Sequence, residues 1–413
     1  MLRLALLLLS LLISSAAYAA SPSILYLTWT HDPATTMTVQ WHSDKKETQS
    51  VVLYHRIGEK TWQSKEGAYN PLHSTDYIAH TVELVDLMPN TDYEFMFPGK
   101  KKTYKFRTMP QELDRPIRFA IGGDAYFYLN IFRRMCAQVA AHDPDFVVVG
   151  GDIAYSNGRR SVFHTKNWEI NRWRTFLREW KVQMVTSDGR LIPLIPVVGN
   201  HDVKGSQADP FTNELFFYEI FTFPQKNIPY RNIDFGSYLS LTLLDTGHTY
   251  PIGGKQTEWL ETTLSERENF AYKFAAYHIG AYPSVYPYNG SAPRQIRENW
   301  CPLFEQYHLN GAFEHHSHTF KRTHPIKQEK VDPNGVVYFG DGSWGVSPRK
   351  VKNAKMWYML KGEQENAAFI ITLDQHMGAI EAISLDGKVI DATVAYPSSN
   401  FVSFDESRLL QYR

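Results

Sequence analysis

Five apolar runs in the second part of this 413-residue chain each end at a side chain that can bind a metal ion, and few folds can use that pattern. Residues 117–121 lead into Gly122-Gly123-Asp124, and 146–149 into Gly150-Gly151-Asp152-Ile153-Ala154-Tyr155. Residues 194–198 lead into Gly199-Asn200-His201-Asp202. Residues 274–277 end at His278, and 309–313 run into Glu314-His315-His316-Ser317-His318. Apolar runs of this length read as strands, and ligands collect beyond the carboxyl ends of strands in open α/β sheets. Glycine ahead of the first three ligands lets the chain leave the strand sharply and brings backbone close to the site. His316 and His318 are two apart, so in extended chain both rings project from one side.

Helical patterns lie between these runs. Ile131, Met135 and Val139 recur every four residues, and Trp173, Phe176, Leu177 and Trp180 mark one face of a second helix. Ile296, Trp300, Leu303, Phe304 and Tyr307 mark a third. Strand and helix in alternation argue for α/β layering. Strands return at 368–373, 379–383 and 389–394. Residues 22–110 read instead as all-β. Met37, Val39 and Trp41 alternate with Thr38 and Gln40, the period of a half-buried strand, and Tyr104 and Phe106 repeat it. Leu87, Pro89, Thr91 and Tyr93 resemble the turn of a fibronectin type III-like sandwich in which a tyrosine ties a corner. The polar segment 109–116, with Pro110 and Pro116, reads as a linker, which sets the expected domains at 22–110 and 117–400.

Residues 1–19 have the form of a signal peptide. Arg3 is followed by an apolar run at 4–13, too short to span a bilayer, and then by Ala17-Tyr18-Ala19. Export to a periplasm or beyond is expected, with no stable membrane anchor. Lys+Arg and Asp+Glu both number 43, so no bulk basic field marks a nucleic-acid binder. Cys136 and Cys301 either pair or remain buried thiols. Nothing in the sequence fixes an oligomeric state.

Taken singly, each metal-capable piece has a plain reading. Gly-Asp after a strand makes turns, a tyrosine packs, and a histidine closing an apolar run can be a satisfied core residue. Order and joint occurrence carry the argument. The series Gly-Asp, Gly-Asp-x-x-Tyr, Gly-Asn-His-Asp, lone His and His-x-His resembles the calcineurin-like metallophosphoesterase superfamily. Tyr155, three residues after Asp152, makes the chain similar to the purple acid phosphatases in particular. Leu27-Thr28-Trp29 with Thr36-Met37, and Asp245-Thr246 with Gly253-Gly254-Lys255-Gln256 and Trp259-Leu260, are similar to the same family.

The resemblance implies a four-layer α-β-β-α sandwich preceded by a fibronectin type III-like β-domain. It implies two metal ions. Asp124, Tyr155 and His318 would hold Fe(III). Asn200, His278 and His316 would hold a divalent iron, zinc or manganese, and Asp152 would bridge. Phenolate and carboxylate oxygens suit a hard trivalent ion, while imidazole and amide oxygen suit a borderline divalent one. His201 would lie just outside the ligands and help the leaving group. The implied reaction is hydrolysis of small phosphate monoesters by a metal-activated hydroxide, with an acidic optimum. A phosphodiesterase or nucleotide pyrophosphatase on the same scaffold is the rival enzyme. A non-catalytic exported binding protein with a relic site is the rival of another class.

Three departures bear on the pocket. Tyr126 and His315 stand where the family has glycine, which makes both candidate pocket residues. As a strand neighbour of His316, His315 would more naturally face the other side. Tyr282, Tyr286 and Tyr288 occupy a loop where plant-type members carry further histidines, and they either line the pocket or pack. His142, His164, His248, His308 and His324 read as surface or structural.

Overall fold

The structure, a computed structural model, describes residues 22–157, 166–203, 208–211, 215–340 and 342–398. The signal-peptide reading of 1–19, His164, and 399–400 at the expected end of the second domain lie outside the described residues.

The N-terminal part is a sandwich of two four-stranded antiparallel sheets. One sheet runs Ile24–Thr28, Met37–Asp44, Tyr77–Leu84, Ala68–Pro71, and the other runs Gln63–Glu66, Val51–Arg56, Asp92–Met96, Tyr104–Arg107. Leu27, Val39, Trp41, Val52, Val82, Phe95 and Phe106 fill the space between them. The corner tyrosine is present: Met88 N–H donates to the Tyr93 hydroxyl at 2.8 Å. Strand Met37–Asp44 departs from the half-buried reading, because Thr38 and Gln40 are buried as well. Their face packs on the second unit, where Gln40 Nε2 donates to Ile220 O (3.1 Å) and Thr222 Oγ1 (2.9 Å). Trp29 crosses the same boundary and meets Phe146 and Phe235 edge-on, at 5.9 and 5.8 Å between ring centres.

Two larger sheets follow. The six-stranded sheet has the order Leu194–Val197, Phe146–Gly150, Ile117–Gly122, Ala367–Leu373, Gly378–Ser384, Val389–Ala395. Its first three strands are parallel, and the last three described strands extend it antiparallel. The seven-stranded sheet has the order Arg231–Phe235, Leu239–Leu243, Tyr272–Ile279, Gly311–His315, Tyr338–Gly340, Phe320–Thr323, Met359–Glu363. The alternation of side chains fixes the layers. Phe119, Ile121, Phe146, Val148 and Phe369 point to a shared core with Phe274, Phe313 and Phe339 of the facing strands. Ala120, Val147 and Val149 point the other way, onto helices Leu129–Ala140 and Lys166–Gln183. Ala275, Tyr277, Ala312 and Tyr338 carry helices Lys255–Ser265, Ser291–Asn299 and Cys301–Gln306 on the far face. The result is the four-layer α-β-β-α sandwich behind an all-β domain.

Local details differ from the sequence reading for physical reasons. The buried stripe of the first helix is Phe132, Met135, Cys136 and Val139, and Ile131 is only half-buried. A strict spacing of four drifts off a 3.6-residue turn, so the stripe follows i, i+3, i+4, i+7. The expected helix over 296–307 is two helices that meet at Trp300. Pro302 sits in the first turn of the second, where its missing N–H costs nothing, and it could not sit inside one continuous helix. Cys136 and Cys301 are both buried and free, and they lie in opposite helix layers with two sheets between them.

Candidate metal centre

The parallel strands of both sheets end on one edge, and there the expected ligands converge. Asp124, Asp152, Tyr155, His316 and His318 all adopt left-handed backbone, with φ of +54°, +50°, +51°, +70° and +57°. Non-glycine residues in that region cost about 1–3 kcal/mol each and persist only where the surroundings over-determine them. Glycines make the approach possible. A Cβ on Gly199 would lie 2.1 Å from Asp152 N, and one on Gly151 would lie 2.5 Å from His278 Nδ1.

The side chains form two groups. In the first, the Tyr155 hydroxyl donates to Asp124 Oδ1 at 2.6 Å, and His318 Nε2 lies 2.8 Å from the same oxygen and 3.1 Å from the hydroxyl. In the second, His278 Nε2 lies 3.1 Å from Asn200 Oδ1, 3.2 Å from His316 Nδ1 and 3.4 Å from Asp152 Oδ1. Asp152, His278 and His316 offer ligand atoms within 4.8 Å of one another. His316 N–H donates to Asp124 Oδ2 at 2.9 Å and so ties the groups together.

Two observations fit these residues to cations. Asp152 Oδ2 is buried and meets no hydrogen-bond donor among the described residues. In addition, Gly150 O lies 3.0 Å from His278 Nδ1 and accepts its proton, which turns the Nε2 lone pair toward the second group. Carboxylate, amide oxygen and imidazole nitrogen atoms converge here, a donor set that suits a cation. Burial pushes the His278 pKa down, but Asp152 and then Asp124 outweigh it and lift the pKa to about 10. Burial, then His278, takes His316 down to about 3. Burial, then Asp124 and Asp152, holds the Tyr155 proton far above the ordinary phenol range.

His201 lies beside the ligands. Its N–H donates to Asp152 Oδ1 at 2.7 Å, its ring stacks on Tyr155 at 4.8 Å, and Nε2 sits 3.9 Å from Asp152 Oδ2. The side chain is 31% exposed, enough to meet a substrate. Asn157 Oδ1 lies 2.7 Å from His201 Nδ1, and Asn157 Nδ2 donates to Val203 O at 2.6 Å. Sequence reasoning missed Asn157 because Asn157-Gly158 reads as a turn. The Asp202 carboxylate accepts from Ile153 N (2.7 Å) and Gly199 N (3.0 Å), which laces two ligand loops together. Behind His278, the buried His248 bonds Thr246 Oγ1 at 2.9 Å, a structural role.

Neither candidate pocket residue lines the pocket, as strand alternation already implied for His315. The Tyr126 ring is buried against Phe132 and Phe176, with the Arg172 guanidinium 4.2 Å over it, so it belongs to the helix layer. His315 is 2% exposed. Its ring lies where a Cβ on Gly150 would fall 1.7 Å from its Nε2, so it faces inward, on the side opposite His316. The loop tyrosines divide. Tyr282 is fully buried beside Tyr338 and Tyr358, and Tyr288 stacks on Tyr358 beneath Arg297. Tyr286 alone reaches the site, stacked on His316 at 4.6 Å. Beside it lies a mostly apolar cavity of about 210 Å³, lined by Ile279, Pro283, Tyr286, Pro287, Pro293 and His316.

Residues 22–108 match the family described as purple acid phosphatase, N-terminal domain, and 117–321 match the calcineurin-like phosphoesterases. The chain is similar to probable purple acid phosphatase 20 of Arabidopsis thaliana, 24% identical over 75% of this chain and 71% of that one. Its fold is similar to a purple acid phosphatase from yellow lupin seeds, with TM-score 0.72, 17% identity, and 90% of this chain and 74% of that chain covered. It is also similar in fold to the protein titled PhoD, with TM-score 0.68, 11% identity, and 94% and 92% covered. With two family matches in sequence and a shared fold in structure, the chain belongs to the purple acid phosphatase family of metal-dependent phosphoric ester hydrolases.

Proposed function

We propose that this protein is an exported acid phosphatase that hydrolyses small phosphate monoesters at a dinuclear metal centre. The observation that carries the proposal is the pair of ligand groups sharing one edge, with the buried Asp152 Oδ2, which meets no hydrogen-bond donor among the described residues, beside them. Asp124, Tyr155 and His318 would hold a ferric ion, a hard ion that phenolate and carboxylate oxygens suit. Asn200, His278 and His316 would hold divalent iron, zinc or manganese, and Asp152 would serve both. When bound, the two ions supply Lewis acidity that activates water and neutralises phosphoryl oxygens.

The protein's own groups supply the rest. His201, with Nδ1 held by Asn157 and its side chain 31% exposed, would in its protonated form give a proton to the departing ester oxygen. The apolar cavity beside His316 would seat the alcohol's organic group. Export rests on the 1–19 leader, and among the described residues no helix is long and apolar enough to cross a membrane. Metal analysis with a visible spectrum, alongside rates on an aryl monoester and a bis-aryl diester, tests the proposal. Two ions, a purple band and a faster monoester reaction are expected. Fully metallated protein that cleaves neither ester would overturn it.

A further inference from the structure

One cation at the site has no part in holding metal. Arg349, half-buried, follows Pro348 on a segment laid against the ligand strand: its backbone N–H donates to His318 O at 2.6 Å. Its Nη1 donates to the Tyr286 hydroxyl and lies 3.5 Å from His316 O. The partner Tyr286 is itself held, stacked on His316, and Asn353 Nδ2 donates to Pro283 O (2.6 Å) and Tyr286 O (2.8 Å). Arg349 is thus fixed between the backbone of one ligand from each group. Its charge also reaches Tyr155, where it acts against the burial and the carboxylates that keep that proton in place.

Among the described residues, only Nη1 of the fork has an acceptor. Nε and Nη2 donate to no described residue, and no described carboxylate pairs with the guanidinium. A half-buried guanidinium with open donors favours a bidentate anion, and its planar fork matches phosphoryl oxygens. A monoester dianion presents three non-bridging oxygens, whereas a diester presents two and one fewer charge. A third positive group at the rim sharpens that distinction.

We infer that Arg349, braced by Tyr286, is the substrate-recognition residue of this site and binds the non-bridging oxygens of a phosphate monoester through Nε and Nη2. The inference rests on the phosphatase reading, and its test keeps the two separable. Inorganic phosphate is titrated by calorimetry into the full-length, doubly metallated protein, and both esters are assayed in parallel. R349Q should weaken phosphate about tenfold and raise the monoester KM by a similar factor, the scale of one charge-assisted contact. Its metal content, and its diester KM to within about twofold, should stay unchanged. R349K should recover part of the loss, and Y286F, which keeps the stack but frees the fork, should fall between. Unaltered phosphate affinity in R349Q, or loss of metal from it, would overturn the inference. If the wild-type protein binds phosphate through Arg349 yet hydrolyses nothing, recognition stands and the hydrolase reading fails.

Discussion

His201 and Asn157 show how a second layer of contacts sets chemistry. His201 hydrogen-bonds Asp152 through its backbone N–H, while its ring stacks on Tyr155 and makes no hydrogen bond to a ligand. His201→Ala should keep two ions per chain and lower kcat by about 10²–10⁴, the usual worth of a positioned proton donor. Metal analysis beside steady-state rates checks this, and loss of metal would make His201 a ligand. Asn157→Leu removes the group that fixes the imidazole and should lower kcat less, roughly tenfold, at unchanged metal content. What could be read in advance divides at this scale. Asp124, Asp152 and Asn200 were legible because glycines precede them at strand ends, where close backbone approach demands glycine. Asn157, Tyr286 and Arg349 were not, because they sit in irregular segments without a period, and their partners come from distant chain. Tyr126 was misplaced for the same reason, since Arg172 and Phe176, 46 and 50 residues on, draw its ring into the helix layer.

Among the elements, the strand Gly311–His315 and the loop after His278 hold each other through a buried ion pair. Glu314 and Lys321 have side chains only 0% and 2% exposed. Glu314 Oε1 also accepts from the Tyr277 hydroxyl (2.8 Å) and Ala281 N (2.6 Å), and Lys321 Nζ donates to Tyr282 O. This network fixes the start of the loop that carries Tyr286. Glu314→Gln strands an ammonium in the interior and should cost about 3–5 kcal/mol, read by denaturant melts. Glu314→Leu combined with Lys321→Met should cost less than the single change, because no lone charge remains. The strands were legible from their alternation, as were the Trp173 and Trp180 faces. The network was not, since a glutamate in an apolar run reads as an edge until its lysine is seen.

Taken whole, the molecule is built around the contact between its sandwich and its two-sheet unit. His42 is buried at that contact, edge-on to Tyr26, and burial, then Arg174 and His80, lowers its pKa to about 3. The unfolded chain binds that proton from about pH 6.5 downward, so the folded form loses ground as pH falls from there toward 3. The slope is at most about 1.4 kcal/mol per pH unit for this one group. His42→Leu should flatten the decline of melting temperature in acid. Burial also takes His80 down, to about 4, so part of the slope should remain. A slope identical to wild type would exclude His42 as its source. The bridging Trp29 has a further consequence. Its ring is wedged among Phe146 and Phe235, its carbonyl accepts from buried Arg231 Nη1 at 2.9 Å, and Leu113 of the connecting segment joins the same apolar mass. A protease that cuts within 109–116 should therefore release nothing: the two fragments should co-elute as one particle on a sizing column and part only when denaturant is added. Trp29→Ala, worth about 3–5 kcal/mol, should let the nicked halves drift apart.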